Sequence, residues 1–240
     1  MGSNPASPTM CGRFVGRFAT VDLIEEIESV MPDAEVSVAN GLPTLWANFN
    51  TAPTQDCLVF TGSNASIQAG SARWGLVPRW AKDASGAARM INARSETLTE
   101  KPSFRGLVPG HRAIVPMSGF YEWDRTDPKV KRPYFVPRAD GRTMWVAGLW
   151  TTSPALDDAL TFCIITRDSR PDLSSIHDRS PVQLELDDAL SWVLEDDPPL
   201  GLLDLDVPPL FAPFEVSRKV NSVRNNGPDL LIPVEPDSLF

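Results

Sequence analysis

The sequence predicts an α+β fold: a single domain built on a curled, barrel-like, mostly antiparallel β-sheet with peripheral helices. Three observations favour this class. Proline accounts for 23 of the 240 residues, about twice its usual share of 5%, and such frequent prolines interrupt helices. Strand-like segments outnumber helix-like ones. They also follow one another in runs, whereas a doubly wound fold alternates strands and helices.

Two segments carry the apolar spacing of an amphipathic helix. The first is predicted from Thr20 to Val30, with Thr20 as its N-cap and Pro32 beyond its end. The second is predicted from about Asp187 to Leu194.

Eight short apolar segments bounded by turn residues are predicted to be strands. They are Cys57–Phe60, Ala72–Leu76, Ala113–Val115, Phe120–Trp123, Tyr134–Val136, Met144–Trp150, Leu160–Thr166 and Val182–Leu184. The proline-rich stretch Asp196–Pro213 is predicted to be an irregular loop. Residues 1–9 are small and polar, so we expect a disordered extension or tag before a domain spanning residues 10–240.

Composition excludes several classes of protein. The longest apolar run, Met144–Trp150, has 7 residues, whereas a membrane-spanning helix needs about 20. The first ten residues have neither the basic nor the apolar region of a secretory signal. Three cysteines without a C-x-x-C spacing do not form a disulfide framework. We therefore expect no membrane partner and a cytoplasmic location.

Charge is distributed unevenly along the chain. The net charge is −9 and the isoelectric point about 4.7. Between Arg73 and Arg112, however, eight basic residues stand against three acidic ones, a local charge of +5. From Leu186 to Phe240 the local charge is −8. This asymmetry is compatible with a polyanion bound on one face, and equally with an ordinary solvated surface.

Cys11 is the first candidate for chemistry because polar residues precede it and Gly12 and Arg13 follow it. If Met10 is the initiator, removal of that methionine exposes an N-terminal cysteine, whose thiol and α-amine together react with aldehydes. An α-amine with a pKa of about 7.8 is roughly one third neutral at pH 7.5, against about 0.1% for a lysine amine. Cys57 and Cys163 lie in apolar segments and are expected to be buried.

Four further polar residues are candidates. Glu122 lies among three aromatic residues, so it is either a buried acid suited to proton transfer or an outward-facing strand residue. Asn92 and Arg94, two apart on an extended segment, share one face and either reach a phosphate or carbonyl or are surface residues. His177, beside Asp178, is either catalytic or structural.

Aromatic and basic residues alternate from Trp74 to Trp80, a pattern typical of single-strand nucleic-acid binders. Trp74 is predicted to lie in the core. Trp80 either stacks on bases or covers a loop. The chain has no P-loop, no H-E-x-x-H motif and no Cys/His metal spacing. We therefore expect neither a metal nor a cofactor.

Seven motifs occur in a characteristic order along the chain. They are Met10–Phe14, Asn50–Pro53, Trp74–Pro78, Asn92–Thr97, Gly119–Trp123, Ala147–Trp150 and His177–Pro181. Together they resemble the SRAP (SOS-response-associated peptidase) family, and the resemblance runs from Met10 to about Pro228. It implies a compact domain with a barrel-like sheet, and covalent capture of abasic sites in single-stranded DNA.

The resemblance also implies roles for individual residues. Carried over by matching position, the catalytic residues are Cys11 as nucleophile with Asn92, Glu122 and His177, and the DNA contacts are Arg13, Asn50, Trp80, Arg94 and Arg179. The implied partner is single-stranded DNA with abasic sites. We expect a monomer that is associated with the nucleoid on DNA damage. Nine residues precede Met10, whereas the family's cysteine directly follows its initiator methionine. Ser180 and Phe49 stand where the family commonly has Met and Tyr.

The implied chemistry is capture of the sugar aldehyde as an imine, which the thiol then closes to a thiazolidine ring. The same imine permits β-elimination, so we expect weak lyase activity and little or no turnover. Two other functions stay open at this stage. A cysteine with a histidine also permits a thiol peptidase, which could act once on its own extension to release Cys11. The same groove could also bind single strands without any covalent step.

Overall fold

The computed structural model describes residues 12–63, 66–124, 126, 131–205 and 211–235. In these ranges there are two α-helices, α1 (Thr20–Val30) and α2 (Leu186–Leu194), and fourteen strands. The strands are β1 (Phe14–Ala19), β2 (Glu35–Val38), β3 (Leu45–Thr51), β4 (Asp56–Ser63), β5 (Ser66–Trp74), β6 (Asn92–Arg94), β7 (Arg112–Met117), β8 (Gly119–Asp124), β9 (Arg132–Val136), β10 (Met144–Ser153), β11 (Ala159–Asp168), β12 (Arg179–Pro181), β13 (Gln183–Leu184) and β14 (Phe214–Glu215).

Five strands close into a barrel. Strands β11, β10, β7, β4 and β5 are antiparallel neighbours in that order, and a parallel pairing of β11 with β5 completes the ring. This closing pair joins Thr161 to Arg73 and Phe162 to Trp74. Closure leaves these strands with few unpaired edges. The predicted α+β class with a barrel-like sheet is confirmed.

Strand β11 is longer than the barrel requires. Its first residues pair with β10 and β5, and its last ones, from Ile164 to Asp168, pair with the short strands β6 and β12. Strands β6 and β12 carry Asn92 and Arg179. The projecting end of β11 therefore brings together two segments that are far apart in the sequence.

A second, antiparallel sheet has the order β14-β9-β8-β1-β3. An apolar cluster joins it to the barrel, and we call this cluster the inter-sheet core. Its members include Phe14, Trp74, Ile91, Phe120, Val136, Phe162, Ile164, Leu173 and Phe211. The rings of Phe14 and Trp74 meet edge to face at 5.0 Å between centroids, which joins β1 directly to the barrel.

The opposite side chains of the barrel strands pack against the helices. This second cluster includes Leu23, Ile27, Phe60, Trp145, Leu149, Leu190 and Trp192. Arg112 is buried at its edge and donates hydrogen bonds to the carbonyl oxygens of Val108, Pro109, Trp192 and Glu195. Arg112 therefore secures the end of α2 and adds nothing to a basic surface, although it is one of the eight basic residues in the local charge count.

Several sequence predictions are confirmed and others need correction. Both helices occur within one residue of their predicted limits, and each of the eight predicted strands overlaps an observed one. Thr20 is not the N-cap of α1: Ala19 is, and the Thr20 hydroxyl donates to the carbonyl oxygen of Pro43. The predicted loop Asp196–Pro213 contains a 3-10 helix, Leu200–Asp204. Residues 1–9 lie outside the described residues.

The predicted strand Ala72–Leu76 ends early, at Trp74. Gly75 follows with φ of +122°, and a Cβ there would lie 2.7 Å from the carbonyl oxygen of Ala87. The strand therefore stops because the chain turns tightly at a glycine. Six strands (β1, β2, β3, β6, β12 and β14) were not predicted. No helix in the described parts of the chain is long and apolar enough to cross a membrane.

Gly119 offers a test of the packing that positions β8. Its φ is +153°, and a Cβ would lie 2.6 Å from the Phe135 ring and 2.9 Å from the carbonyl oxygen of Val136. We expect Gly119→Ala to destabilise the protein by about 2–4 kcal/mol, through backbone strain and overpacking. Thermal unfolding should show a melting temperature lower by more than about 5 °C. Gly106→Ala is the control, because nothing lies within 4 Å of its Cβ position. Equal melting temperatures for both variants would contradict this account.

Candidate active site

The start of β1 lies antiparallel to the first residues of β8. Phe14 pairs with Phe120 and Val15 with Gly119, and the Tyr121 N–H donates to the carbonyl oxygen of Arg13 at 2.9 Å. Continuing this antiparallel register by one more pair places Gly12 opposite Glu122. Cys11, the predicted nucleophile, precedes Gly12 in the chain and lies outside the described residues.

Glu122 faces the space between the two sheets. Side chains alternate along β8: Phe120 belongs to the inter-sheet core, while Tyr121 belongs to a cluster on the outer face of the second sheet. Glu122 therefore points to the same side as Phe120. It is 1% exposed. Of the two alternatives left open by the sequence, the buried acid is the one observed.

Asn92 faces the same space from the barrel side. It pairs with Ile164 of β11, whose side chain lies in the inter-sheet core. The carbonyl oxygen of Ile91 accepts hydrogen bonds from the Ile164 N–H at 2.9 Å and from the buried Trp74 indole at 3.1 Å. Trp74, predicted to be a core residue, is thus also a support for the segment that presents Asn92.

His177 ends a turn-rich segment that packs on the edge of the inter-sheet core through Leu173 and Ile176. His177 is 8% exposed. Its Nδ1 atom accepts a hydrogen bond from the Arg179 N–H at 3.1 Å and also lies 3.0 Å from a carboxylate oxygen of Asp178.

These two contacts of Nδ1 compete, because a nitrogen that accepts a hydrogen bond cannot donate one to a carboxylate. The buried Arg179 N–H needs an acceptor, whereas the Asp178 side chain is 88% exposed and can be hydrated. We therefore assign Nδ1 as the acceptor. In the neutral imidazole the proton is then on Nε2, which makes Nε2 a hydrogen-bond donor.

Arg179 lies at the centre of a charged network. Its guanidinium contacts both carboxylate oxygens of Glu96 at 2.5 and 2.8 Å, Asp168 at 2.6 Å and the carbonyl oxygen of Thr166 at 2.8 Å. Burial alone would raise the pKa of Glu96, but hydrogen bonds from Arg179 and from the backbone, together with the charge of Arg179, hold that pKa below its ordinary value. The network ties the segment after β6 to β11 and β12, and so fixes Asn92 relative to His177.

Arg13 and Asn50 contact each other and the C-terminal part of the chain. The Arg13 guanidinium donates to the Asn50 side-chain oxygen at 2.8 Å and to the carbonyl oxygen of Val220 at 2.9 Å. Asn50 is 1% exposed. Arg13 and Asn50, like Arg179, are therefore engaged in hydrogen bonds within the protein. Direct DNA contact by these three residues stays a prediction of the resemblance.

Trp80 and Arg94 are placed differently, on the surface. Trp80 is 72% exposed. It lines a cleft of about 300 Å³ together with Lys82, Arg89 and Met90, just before Asn92 in the chain. Arg94 is exposed and lies two residues from Asn92 on the same face of β6. An exposed aromatic ring and several cations thus lie along the segment that leads to Asn92.

The described cysteines are unsuited to nucleophilic chemistry. Burial raises the pKa of Cys57 well above its ordinary value and that of Cys163 to about 12, so both stay protonated at neutral pH. His111 is half-buried, and the centroid of its ring lies 4.7 Å from that of the Trp150 ring. Across the described ranges, no cluster of three or more His, Cys, Asp or Glu residues is arranged to hold a metal.

Comparison with known families gives a match over most of the chain. The sequence model described as "SOS response associated peptidase (SRAP)" matches residues 10–223. This chain belongs to the SRAP family. The match begins at Met10 and includes every residue of the candidate site, Cys11 among them.

SRAP relatives from distant bacteria align over nearly their whole length. The abasic site processing protein YoqW of Bacillus subtilis (strain 168) is 36% identical over 231 residues, covering 92% of this chain and 99% of YoqW. The abasic site processing protein YedK of Escherichia coli (strain K12) is 30% identical over 235 residues, covering 94% of this chain and 100% of YedK. A crystal structure from Bacteroides thetaiotaomicron shares the fold, with a TM-score of 0.74 at 20% identity over 94% of this chain and 100% of that one.

Sequence reasoning did not find every residue that organises this SRAP site. Glu96 was quoted within a motif, but its pairing with Arg179 depends on contacts 83 positions apart. The hydrogen bonds from Asn50 to residues 220–225 were also missed. The concentration of asparagines at positions 221, 225 and 226 was the available signal for a hydrogen-bonded segment.

The Glu96–Arg179 pair has a pH-dependent consequence. Because the pKa of Glu96 is lowered by folding, its contribution to stability is full above about pH 4.3, the ordinary value, and is lost as the pH falls through the lower folded value. We expect Glu96→Gln to lower the melting temperature at pH 7 and the difference from wild type to shrink below about pH 4. Thermal unfolding from pH 3 to pH 8 measures this difference. Glu100→Gln, an exposed carboxylate nearby, is the control. A pH-independent difference for Glu96→Gln would rule out the ionised pair as its cause.

Proposed function

We propose that this protein processes abasic sites by capturing them covalently in single-stranded DNA through an N-terminal Cys11. The observation that supports this proposal is the register of β1 and β8, which leads to Gly12 opposite the buried residue Glu122. The residue before Gly12 is Cys11. A trans peptide separates consecutive Cα atoms by about 3.8 Å, so the register supports a Cys11 amine within reach of a buried acid.

The reaction begins when the neutral α-amine attacks the aldehyde carbon of the opened sugar to give a carbinolamine. Loss of water then forms an imine. The thiol sulfur adds to the imine carbon, and the thiol proton ends on the nitrogen, which closes the thiazolidine ring. Glu122 is the group suited to move protons at the carbinolamine stage, because a buried carboxyl can both accept and donate. Asn92, which faces the same space, is suited to hold the amine or a sugar oxygen.

His177 fits a different step. With Nδ1 occupied by the Arg179 N–H, its Nε2–H is a hydrogen-bond donor suited to polarise the oxygen of the closed sugar ring. This role assists ring opening, which must precede imine formation. The imine can also undergo β-elimination, so weak lyase activity would accompany capture. Because the product is a stable adduct, we propose a single-turnover reaction.

The surface around Asn92 supports a single-stranded substrate. The exposed Trp80 ring can stack on a base, and Arg94, Arg89 and Lys82 can contact phosphates. The relatives are named abasic site processing proteins, which supports an abasic site as the feature that is recognised. We propose that the protein acts on DNA as a monomer, in the cytoplasm at the nucleoid.

Cys11 must be the first residue for this chemistry, because an amide nitrogen cannot form an imine. We expect protein that begins at Cys11 to form a heat-stable adduct with a single-stranded oligonucleotide carrying one abasic site. Protein that retains residues 1–10 should form none. Intact-mass spectrometry before and after mixing measures both outcomes. Equal adduct yields from the two verified forms would exclude the N-terminal mechanism.

The thiol and the amine of Cys11 can be separated by Cys11→Ser in protein that begins at residue 11. This variant keeps the amine, so borohydride should still trap an imine. It lacks the sulfur, so no heat-stable adduct should form. A heat-stable adduct at wild-type yield would remove the thiazolidine from the scheme.

Glu122 and His177 should affect different steps. We expect Glu122→Gln to slow imine formation and His177→Ala to slow sugar-ring opening and release of the adduct, each by about 10²–10⁴-fold. Time courses of cross-linking, and of release onto competitor DNA, distinguish the two. Binding to abasic DNA serves as the control and should be retained. If both variants cross-link and release at wild-type rates, neither residue is catalytic.

A further inference from the structure

Residues 217–226 cross the outer face of the second sheet, and we call this segment the strap. Val220 anchors it in an apolar cluster with Val15, Tyr121 and Leu230. The Trp123 indole N–H donates to the side-chain oxygen of Asn221 at 2.7 Å. The strap is therefore attached to β1 and β8, the two strands whose antiparallel register leads to Gly12 opposite Glu122.

Asn50 holds the strap at three points. Its side-chain NH₂ group lies within hydrogen-bond distance of the carbonyl oxygens of Val220 at 3.2 Å, Ser222 at 3.0 Å and Asn225 at 2.9 Å. Its two hydrogens are thus shared among three acceptors in a site that is 1% exposed. A buried amide with this many internal partners has no donor left for a phosphate.

Arg13 links the strap to the strand that carries Gly12. Its guanidinium donates to Asn50 at 2.8 Å, to the Val220 carbonyl at 2.9 Å and to the Asn221 carbonyl at 3.4 Å. Its own carbonyl oxygen accepts from the Tyr121 N–H at 2.9 Å. Both the main chain and the side chain of Arg13 are therefore fixed, one residue away from Gly12.

We propose that Arg13 and Asn50 are positioning residues: with the strap they hold the start of β1 in place for reaction, and they do not bind DNA. This inference rests on the proposed function, because the group being positioned is the Cys11 amine. An intramolecular reaction depends strongly on placement, and a displacement of about 1 Å costs on the order of a hundredfold in rate. Loss of the bonds that fix Arg13 would allow such a displacement.

The test separates placement from DNA binding by using Asn50→Ala in protein that begins at Cys11. We expect its affinity for DNA carrying a tetrahydrofuran abasic analogue, which cannot react, to stay within about twofold of wild type. We expect its maximal rate of cross-linking to abasic DNA to fall about 10- to 100-fold. Its borohydride-trapped reaction with a small soluble aldehyde should slow by a similar factor, since this rate depends on the placement of the Cys11 amine and not on DNA binding. Asn40→Ala, the same change in an exposed turn, is the matched control.

Arg13→Lys is the second variant, and it keeps the positive charge. A lysine ammonium is a compact point charge without the planar fork of arginine, so it cannot hold Asn50, Val220 and Asn221 together. We expect Arg13→Lys to be slow with the small aldehyde, as Asn50→Ala is, and to keep the wild-type salt dependence of DNA binding. Arg94→Gln provides the contrast: a lost phosphate contact should weaken DNA binding and lower the salt slope by about one.

The outcomes distinguish this proposal from the proposed function. Weaker DNA binding with a wild-type rate toward the small aldehyde, in Asn50→Ala or Arg13→Lys, would overturn the positioning role and leave covalent capture standing. If Asn50→Ala does not fold, Arg13→Lys alone decides the question by the same two rates. If wild type reacts with the aldehyde but never cross-links DNA, the proposed function fails while the variants still test positioning. A wild-type protein inert to both substrates would overturn the two proposals together.

Discussion

The apolar contact between the barrel and the second sheet is the interaction on which the candidate site depends. Phe14, Ile91, Phe120 and Ile176 each pack in or on this inter-sheet core. Each also lies within two residues of a polar residue of the site, namely Arg13, Asn92, Glu122 and His177 in the same order. The burial of four separate chain segments in one cluster, worth roughly 25 cal/mol per Å² of apolar area, is therefore what brings the polar groups to a common edge.

Buried and half-buried arginines secure the segments that carry this edge. Arg179 joins three elements through Glu96, Asp168 and Thr166, Arg13 joins β1 to the strap, and Arg112 holds the end of α2. A buried guanidinium must be satisfied by acceptors of fixed geometry, and its planar donors can bridge several carbonyl and carboxylate oxygens at once. These cations therefore act as structural links. The cations that remain on the surface, such as Arg94 and Arg89, are the ones available to a polyanion.

How much the sequence predicts depends on the range of the interactions involved. Local signals defined α1 and α2, and short apolar segments bounded by turn residues identified eight strands, because those patterns record burial within a few residues. Strands β6 and β12 were missed because they have only three residues each and depend on pairing with the distant end of β11. The burial and the hydrogen-bond partners of Arg112, Arg179 and Asn50 could not be predicted either, because their partners lie up to 175 positions away in the chain.

The sequence by itself determined the α+β class, the family and the identity of the candidate residues, because ordered motifs and local periodicity are properties of the chain. Tertiary structure alone decided their surroundings. It buried Glu122 opposite Gly12, gave His177 an accepting Nδ1, and divided the basic residues between internal links and an exposed surface. The physical reason is that burial and hydrogen-bond partnership arise from contacts between segments far apart in the chain, and only the folded arrangement of two sheets around one core specifies those contacts.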